Sequence, residues 1–330
     1  MIIRDKQDLR KCVKQSVRRC EVIETDFRFD IAFGECGIAP MLGVQEGAET
    51  SLNEVYAQRC SGLLLDAHHA ALIAALDAMQ LPVHDLDKAH AIASGYDRNA
   101  YLSALLSAMR ARRVLVRVKS EDAALFAASD ARFAPLLVAE DALFAPERYG
   151  VPYVRIAEEL AQAARITNAR DLTVERFDAQ ALAYCILPVC EDQALVLHLH
   201  LHTEDEIDTA LALLREHGEV HALLSASQSC MKELMIKARG MHHVLIRLNE
   251  PGMLLEAVAI LGSHFLFCAS SAERPEEMLG RWVLAREALW PALCDAYLPL
   301  ARSGFELTRE RIEADIEMLL CGNFEKLYQL

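Results

Sequence analysis

The sequence lacks the features of proteins that bind nucleic acid, span a membrane or enter the secretory route. Its formal net charge is -14, so it has no basic surplus for binding nucleic acid or an anionic membrane. No window approaches the roughly 18 uninterrupted apolar residues of a membrane helix. The first residues, MIIRDKQDLRKCVKQ, lack the apolar core of a signal peptide. We therefore expect a cytoplasmic protein.

Several motif types are also missing. The 10 cysteines are scattered and form no CxxC pair, and Cys185 and Cys268 stand in apolar runs where a reduced cysteine behaves as a small hydrophobic residue. No GxGxxG loop indicates a dinucleotide site, and Ser227-Gln-Ser-Cys230 is not the GxSxG turn of a serine hydrolase. Repeats and low-complexity segments are absent as well. These absences leave an ordinary globular enzyme or binding protein.

What is present is an alternation of short apolar runs with amphipathic helical stretches, which predicts a parallel α/β fold. Seven strands are expected, at 22–30, 113–118, 134–141, 194–202, 219–227, 242–248 and 263–270. We interpret residues 1–330 as a single (β/α)8 TIM-type barrel domain, with a loop and helical insertion at about 31–112 after strand one. The eighth strand is expected near 151–156, unless the barrel is distorted. A doubly wound sheet is the alternative, but the missing GxGxxG loop argues against it.

The most informative segment is 194–202, where leucines alternate with Val196 and three histidines, His198, His200 and His202. Successive side chains of a strand point to opposite faces, so the leucines share one face and the histidines share the other. This pattern is typical of a barrel strand whose outer face packs on helices and whose inner face leads into a pocket.

Ionisable residues stand at the ends of the predicted strands, where barrel enzymes build their active sites. The catalytic candidates are Asp26, Asp30, Glu140 and His200; the candidates for substrate binding are Arg28, Arg117, Arg247, Arg274 and Ser270; the metal candidates are His198, His200 and His202. Arginine binds carboxylate or phosphate bidentately, so a small anionic partner is expected. Histidines two residues apart on one strand can bind one divalent metal such as zinc. Solvated strand ends, internal salt bridges and metal-free histidines stay open as alternatives.

The layout resembles the amidohydrolase superfamily of metal-dependent hydrolases, and uronate isomerases in particular. The residues that carry the likeness are the first strand Ile23–Asp30, the helical insertion after it, the histidine strand and the closing segment Asp315–Leu330 with Gly322-Asn323. The resemblance implies a barrel that hydrolyses amide or ester bonds or isomerises uronic acids.

Two departures from the family pattern bear on function. Arg28-Phe-Asp30 stands where the family has His-x-His, and Ser270-Ser271 stands where it has a metal-binding aspartate. One hypothesis is therefore an enzyme acting on a small anion such as a sugar acid, with or without metal. The other is a catalytically degraded barrel that binds or regulates. Homo-oligomerisation is left open.

Overall fold

The structure, a computed structural model, describes residues 3, 5–29, 36–44, 51–59, 67–119, 130–139, 153–269, 271–303 and 305–328. Within these ranges eight parallel strands form one sheet, and each strand pairs with the next along the chain. They are β1 (Val22–Phe27), β2 (Ala111–Lys119), β3 (Phe133–Ala139), β4 (Asp171–Val174), β5 (Val196–Leu201), β6 (Ala222–Ala226), β7 (Val244–Leu248) and β8 (Phe265–Phe267). The predicted α/β fold with parallel strands is confirmed.

The sheet curls until its first and last strands meet. Phe27 forms a parallel bridge with Ala272, and the Arg28 amide donates to the Ala272 carbonyl at 2.9 Å. The Cys268 thiol lies 3.7 Å from the Ile23 carbonyl oxygen. These contacts join β1 to the segment that follows β8, which gives the TIM-type barrel that the alternation of strands and helices predicted.

The eighth strand was expected in the wrong place. Residues 153–156 form the first turn of the helix Tyr153–Thr167, and the strand is Asp171–Val174. It is four residues long and buried throughout, so its alternation of Asp171 and Thr173 with Leu172 and Val174 spans only two repeats. A run this short carries too little periodicity to separate a strand from a break between helices.

Helices occupy the gaps between strands. They are α1 (Lys6–Arg19), α2 (Ile38–Met41), α3 (Leu52–Arg59), α4 (Ala67–Ala78), α5 (Leu86–Ala93), α6 (Arg98–Met109), α7 (Tyr153–Thr167), α8 (Ala179–Ala181), α9 (Leu187–Gln193), α10 (Glu204–Glu216), α11 (Gln228–Ala238), α12 (Leu254–Leu261), α13 (Pro275–Arg302), α14 (Arg309–Glu317) and α15 (Asn323–Lys326). Several begin at an aspartate or threonine whose side chain accepts amide hydrogens of the first turn, as Asp5 does for Gln7 and Asp8. None of the helices in the described ranges combines the length and apolar character needed to cross a bilayer.

The predicted helical insertion between β1 and β2 is present as α2 to α6. Its helix α4 packs backbone to backbone against α13, which has 28 residues. A Cβ atom added at Gly280 would lie 1.8 Å from the Ala71 carbonyl oxygen. Only glycine fits this crossing, so Gly280 fixes how closely the insertion approaches the helical layer of the barrel.

The end of the described chain covers the amino ends of the strands. The Asn323 amide donates to the carbonyls of Ser263 and Phe265 at 2.5 and 2.8 Å, at the start of β8. The Tyr328 hydroxyl donates to the carboxylate of Asp171, the first residue of β4, at 2.6 Å. These contacts cover the amino ends of β4 and β8, and the carboxyl ends of the strands carry the cavity described next.

Candidate active site

A cavity of about 400 Å³ opens at the carboxyl ends of the strands. Its lining is mostly polar and comprises Thr25, Asp26, Arg28, Arg117, Leu136, Thr173, Val174, Glu175, His198, Leu199, His200, His202, Leu223, Ser225, Arg247, Asn249 and Ser271. The volume is within the range of pockets that bind small metabolites. Its position is where barrel enzymes carry their active sites.

Most of the residues predicted for the site lie together in this cavity. Asp26, Arg28, Arg117, Arg247 and the three histidines of β5 all line it. Arg274 does not line it, because it immediately precedes α13 as the cap residue of that helix. Asp30, Glu140 and Ser270 lie outside the described residues. The histidine face of β5 thus points into the cavity, as the alternation predicted.

The polar lining residues that were not predicted include Thr25, Thr173 and Glu175. Thr173 and Glu175 belong to β4 and its exit, so they were missed together with that strand. The signal was the run Asp-Leu-Thr-Val-Glu after a helix break, which ends in an acidic residue as other strand exits do. Thr25 was missed because it should face away from Asp26 in a regular strand.

A β-bulge in β1 brings Thr25 and Asp26 to the same side. Glu24 pairs with Val114 and Phe27 with Val116, so β1 advances three residues over a stretch in which β2 advances two. Bulges break the regular ladder and redirect side chains, and they are common beside active sites. Here the bulge turns both Thr25 and Asp26 toward the cavity.

Glu24 stabilises the bulge from inside the protein. Its Oε1 accepts the amide hydrogens of Thr25 and Asp26 at 2.9 and 3.0 Å, and its Oε2 accepts the indole N–H of Trp282 at 2.9 Å. Burial raises the pKa of Glu24 to about 7, although these hydrogen bonds and Arg247 act in the opposite direction. Glu24 is 1 % exposed and does not line the cavity, so it acts on the site by holding the bulge.

Three arginines surround Asp26. The Arg117 Nε lies 2.5 Å from Asp26 Oδ1, and the Arg28 and Arg247 guanidinium groups lie 3.6 and 4.0 Å from Oδ2. Burial acts to raise the pKa of Asp26, but the three guanidinium groups outweigh it and hold the pKa below its usual range. Arg117 also pairs with Glu175, and Arg247 donates to Thr25 Oγ1 at 3.3 Å. Asp26 is thus an ionised anchor for the arginines.

The cavity histidines have distinct partners. His200 Nδ1 lies 2.9 Å from the Ser225 hydroxyl, and its ring meets that of His202 edge to face at 4.7 Å. Burial, followed by His202 and Arg247, lowers the pKa of His200, so its imidazole is neutral at pH 7. His198 lies deeper, with Nε2 2.9 Å from Asp171. His200 is therefore the cavity histidine best placed to exchange a proton.

The described residues do not assemble a metal site. Among them no group of three or more His, Cys, Asp or Glu side chains is arranged to hold a metal ion. His198 is bound to Asp171, and the carboxylate of Asp26 faces cationic guanidinium groups rather than an open coordination position. The donor set thus does not fit a divalent cation, and metal binding by His198, His200 and His202 stays a prediction.

Fold and cavity together define a (β/α)8 barrel protein with an arginine-lined pocket at the carboxyl ends of its strands. The same fold occurs in a uronate isomerase from Bacillus halodurans C-125, with a TM-score of 0.82 over 99% of this chain and 97% of that one at 16% identity. A uronate isomerase from Thermotoga maritima matches with a TM-score of 0.61 over 97% of each chain at 10% identity. The likeness to uronate isomerases expected from the sequence is confirmed for the fold. No family model and no curated protein matches the sequence.

Proposed function

We propose that this protein is an enzyme that binds a small sugar acid of the uronate type and isomerises it. The observation that carries the proposal is the convergence of Arg28, Arg117 and Arg247 with His200 in one cavity at the carboxyl ends of the strands. The solved structures that share this fold are named uronate isomerases, which supports the same substrate class.

The charge of the cavity favours an anion. The described lining carries two carboxylates, Asp26 and Glu175, against three guanidinium groups, whereas the whole chain has a net charge of -14. Arg247 uses Nη1 for its contacts with Thr25 and Asp26, and its side chain lines the cavity. A guanidinium fork binds a carboxylate bidentately, so Arg247 and Arg28 would hold the acid group of the substrate.

The remaining lining groups suit a polyhydroxylated substrate and a proton transfer. Thr25, Thr173 and Asn249 can donate to and accept from hydroxyl groups. An aldose–ketose isomerisation removes a proton from the carbon beside a carbonyl and returns one to the carbonyl carbon. Neutral His200 can act as the base in this step, while the Ser225 hydroxyl holds the imidazole in place.

A second candidate is a barrel that binds the same acid without turning it over. It is favoured by the ion pairing of Arg28 with Asp26 at the position where the metal-dependent family carries histidines, and by the absence of a three-donor group in the described part of the chain. Both candidates require the arginine pocket and differ only in catalysis.

Binding and turnover of D-glucuronate and D-galacturonate separate these candidates, with D-glucose as the control that lacks the carboxylate. We expect the acids to raise the Tm and glucose to leave it unchanged. Arg247→Gln should weaken binding by about ten- to a hundredfold, since one charge-assisted contact contributes roughly 1.5–3 kcal/mol. Arg155→Gln, at an exposed arginine of α7, is the matched control.

Catalysis is tested with His200→Gln beside His217→Gln, a histidine outside the cavity lining. Loss of turnover with retained binding in the first variant, and full activity in the second, supports His200 as the base. Binding without turnover in the wild-type protein favours the second candidate, and no binding of either acid rejects both. Turnover that disappears after EDTA treatment would support the predicted metal.

A further inference from the structure

A second group of reactive side chains lies at the other end of the barrel. Cys20 and Cys321 share a cavity of about 230 Å³ with Ser16, Arg19, Glu21, Arg112, Glu313 and Glu317. The two thiols line the same cavity, although 300 residues of sequence separate them. Arg112 is the second residue of β2. This cavity therefore lies at the amino ends of the strands, away from the candidate active site.

Local backbone geometry brings the two cysteines together. Cys20 is the cap residue at the end of α1 and lies two residues before β1. Cys321 belongs to a π-helical turn, Met318–Gly322, between α14 and α15. A π-helical turn adds a residue to the helix and changes the direction of its side chains, and such turns are frequent at functional sites.

The surroundings favour a thiolate at Cys321. The Arg112 Nη1 lies 3.4 Å from its sulfur, while Nε of the same guanidinium pairs with Glu325 at 2.9 Å. The hydrogen bond from Cys20, followed by that from Arg112, lowers the pKa of the Cys321 thiol despite its burial. Cys20 is partly exposed and lines the same cavity, so the pair lies within reach of small solutes.

Other described cysteines do not combine these properties. Cys185 and Cys190 lie near one another, but both are buried and burial raises the pKa of each thiol. Cys230 is partly exposed, but the groups around its sulfur are the Ser229 hydroxyl and the His202 carbonyl. Proximity, access and a cationic neighbour occur together at Cys20 and Cys321.

We propose that Cys20 and Cys321 are a redox-active pair that a peroxide converts into a reversible disulfide. In the first step the Cys321 thiolate attacks one peroxide oxygen, the O–O bond breaks, and the departing hydroxide takes up a proton as water. In the second step the Cys20 sulfur attacks the Cys321 sulfenic acid, the S–S bond forms, and the thiol proton leaves with the hydroxide as water. Two molecules of a monothiol such as reduced glutathione, or one molecule of the dithiol dithiothreitol, reduce the disulfide and are themselves oxidised to a disulfide.

The disulfide would tie the start of the barrel to its closing segment. Because it closes nearly the whole chain into a loop, it restricts the unfolded chain strongly. The amino-terminal face of a TIM barrel governs stability rather than chemistry. Oxidation is therefore expected to raise the Tm by several degrees and to leave ligand binding at the candidate active site unchanged.

The experiment treats the reduced, folded protein with hydrogen peroxide and digests it without reduction after blocking free thiols. We expect a crosslinked peptide that contains Cys20 and Cys321, a mass loss of two hydrogens, and recovery of both thiols with dithiothreitol. Cys20→Ser and Cys321→Ala should each abolish the crosslink and the rise in Tm. Cys230→Ser is the matched control and should retain both, and Arg112→Gln should slow disulfide formation severalfold.

Each result decides the proposal. Sulfenic acid trapped at Cys321 in Cys20→Ser supports the order of the two steps, and Cys20→Ala gives the same readout if Cys20→Ser folds poorly. A crosslink that forms only in urea, a crosslink between other cysteines, or peroxide treatment that leaves Cys20 and Cys321 as free thiols would overturn it.

Discussion

Replacing Glu24 with alanine removes the acceptor of three buried N–H groups at once: the amides of Thr25 and Asp26 and the indole of Trp282. A buried donor left without a partner costs about 1–3 kcal/mol, so the three donors together predict that Glu24→Ala lowers the free energy of unfolding by about 3–9 kcal/mol. The bulge of β1 would lose its support, and Asp26 would no longer hold Arg117 and Arg247 in the cavity.

Glutamine at the same position isolates the effect of charge. Its amide oxygen can still accept from the bulge, but its amide nitrogen faces the Trp282 N–H, so we expect a loss of about 1–3 kcal/mol at pH 5. In the wild-type protein the pKa of Glu24 is raised to about 7 in the folded state. Between the ordinary glutamate pKa near 4.3 and about 7, the unfolded chain loses this proton and the folded chain keeps it. Folding stability therefore falls with rising pH across this window, by roughly 3 kcal/mol.

The assay is urea unfolding of the reduced wild-type protein and the Glu24→Gln variant at pH 5 and pH 8. Glutamine does not titrate, so the stability of the wild-type protein relative to the variant should fall by about 2.5 kcal/mol between these pH values, which cancels or reverses the difference expected at pH 5. Glu276 also has a pKa raised to about 7 by burial, but it is present in both proteins and cancels in the difference. Glu158→Gln, at an exposed position of α7, is the control. An equal difference at pH 5 and pH 8 would refute the reasoning.

Two further substitutions test the packing of the barrel. Gly280→Ala should destabilise the protein by about 3 kcal/mol or more, because its Cβ would lie 1.8 Å from the Ala71 carbonyl oxygen, whereas Gly218→Ala, with no atom within 4 Å, should change the Tm little. Tyr328→Phe should cost about 1–3 kcal/mol in urea unfolding, because Asp171 loses the hydroxyl that donates to its buried carboxylate. Equal Tm values for the two alanine variants, or an unchanged midpoint for Tyr328→Phe, would contradict these predictions.

The sequence was sufficient to predict the fold class because its longer strands keep a clear pattern. The alternation of leucine and histidine in β5 predicted both the strand and the face that meets the cavity, since only the histidine face is polar. The four residues of β4 alternate for only two repeats, which is too short to indicate a strand, and their four positions are all buried. Glu175, the acidic residue that directly follows β4, was not predicted for the same reason.

The site was predictable to the extent that strands are regular. Asp26, Arg28, Arg117 and Arg247 follow from the rule that the carboxyl ends of parallel strands form the active-site face. Thr25 does not follow, because its orientation depends on the bulge that Glu24 holds through contacts with its own chain neighbours and a tryptophan 258 residues away. No local pattern records such a contact.

The seam between β1 and the segment after β8 has a consequence for how the chain folds. The Cys268 thiol and the Ile23 carbonyl that meet there are 245 residues apart in sequence. Loop closure over such a distance is entropically costly, and non-local pairing slows folding. During synthesis β1 leaves the ribosome long before its partner exists, so its outer edge stays unpaired until the last strand arrives. The exposed edge of β1 is then the place where a nascent chain would recruit a chaperone or aggregate.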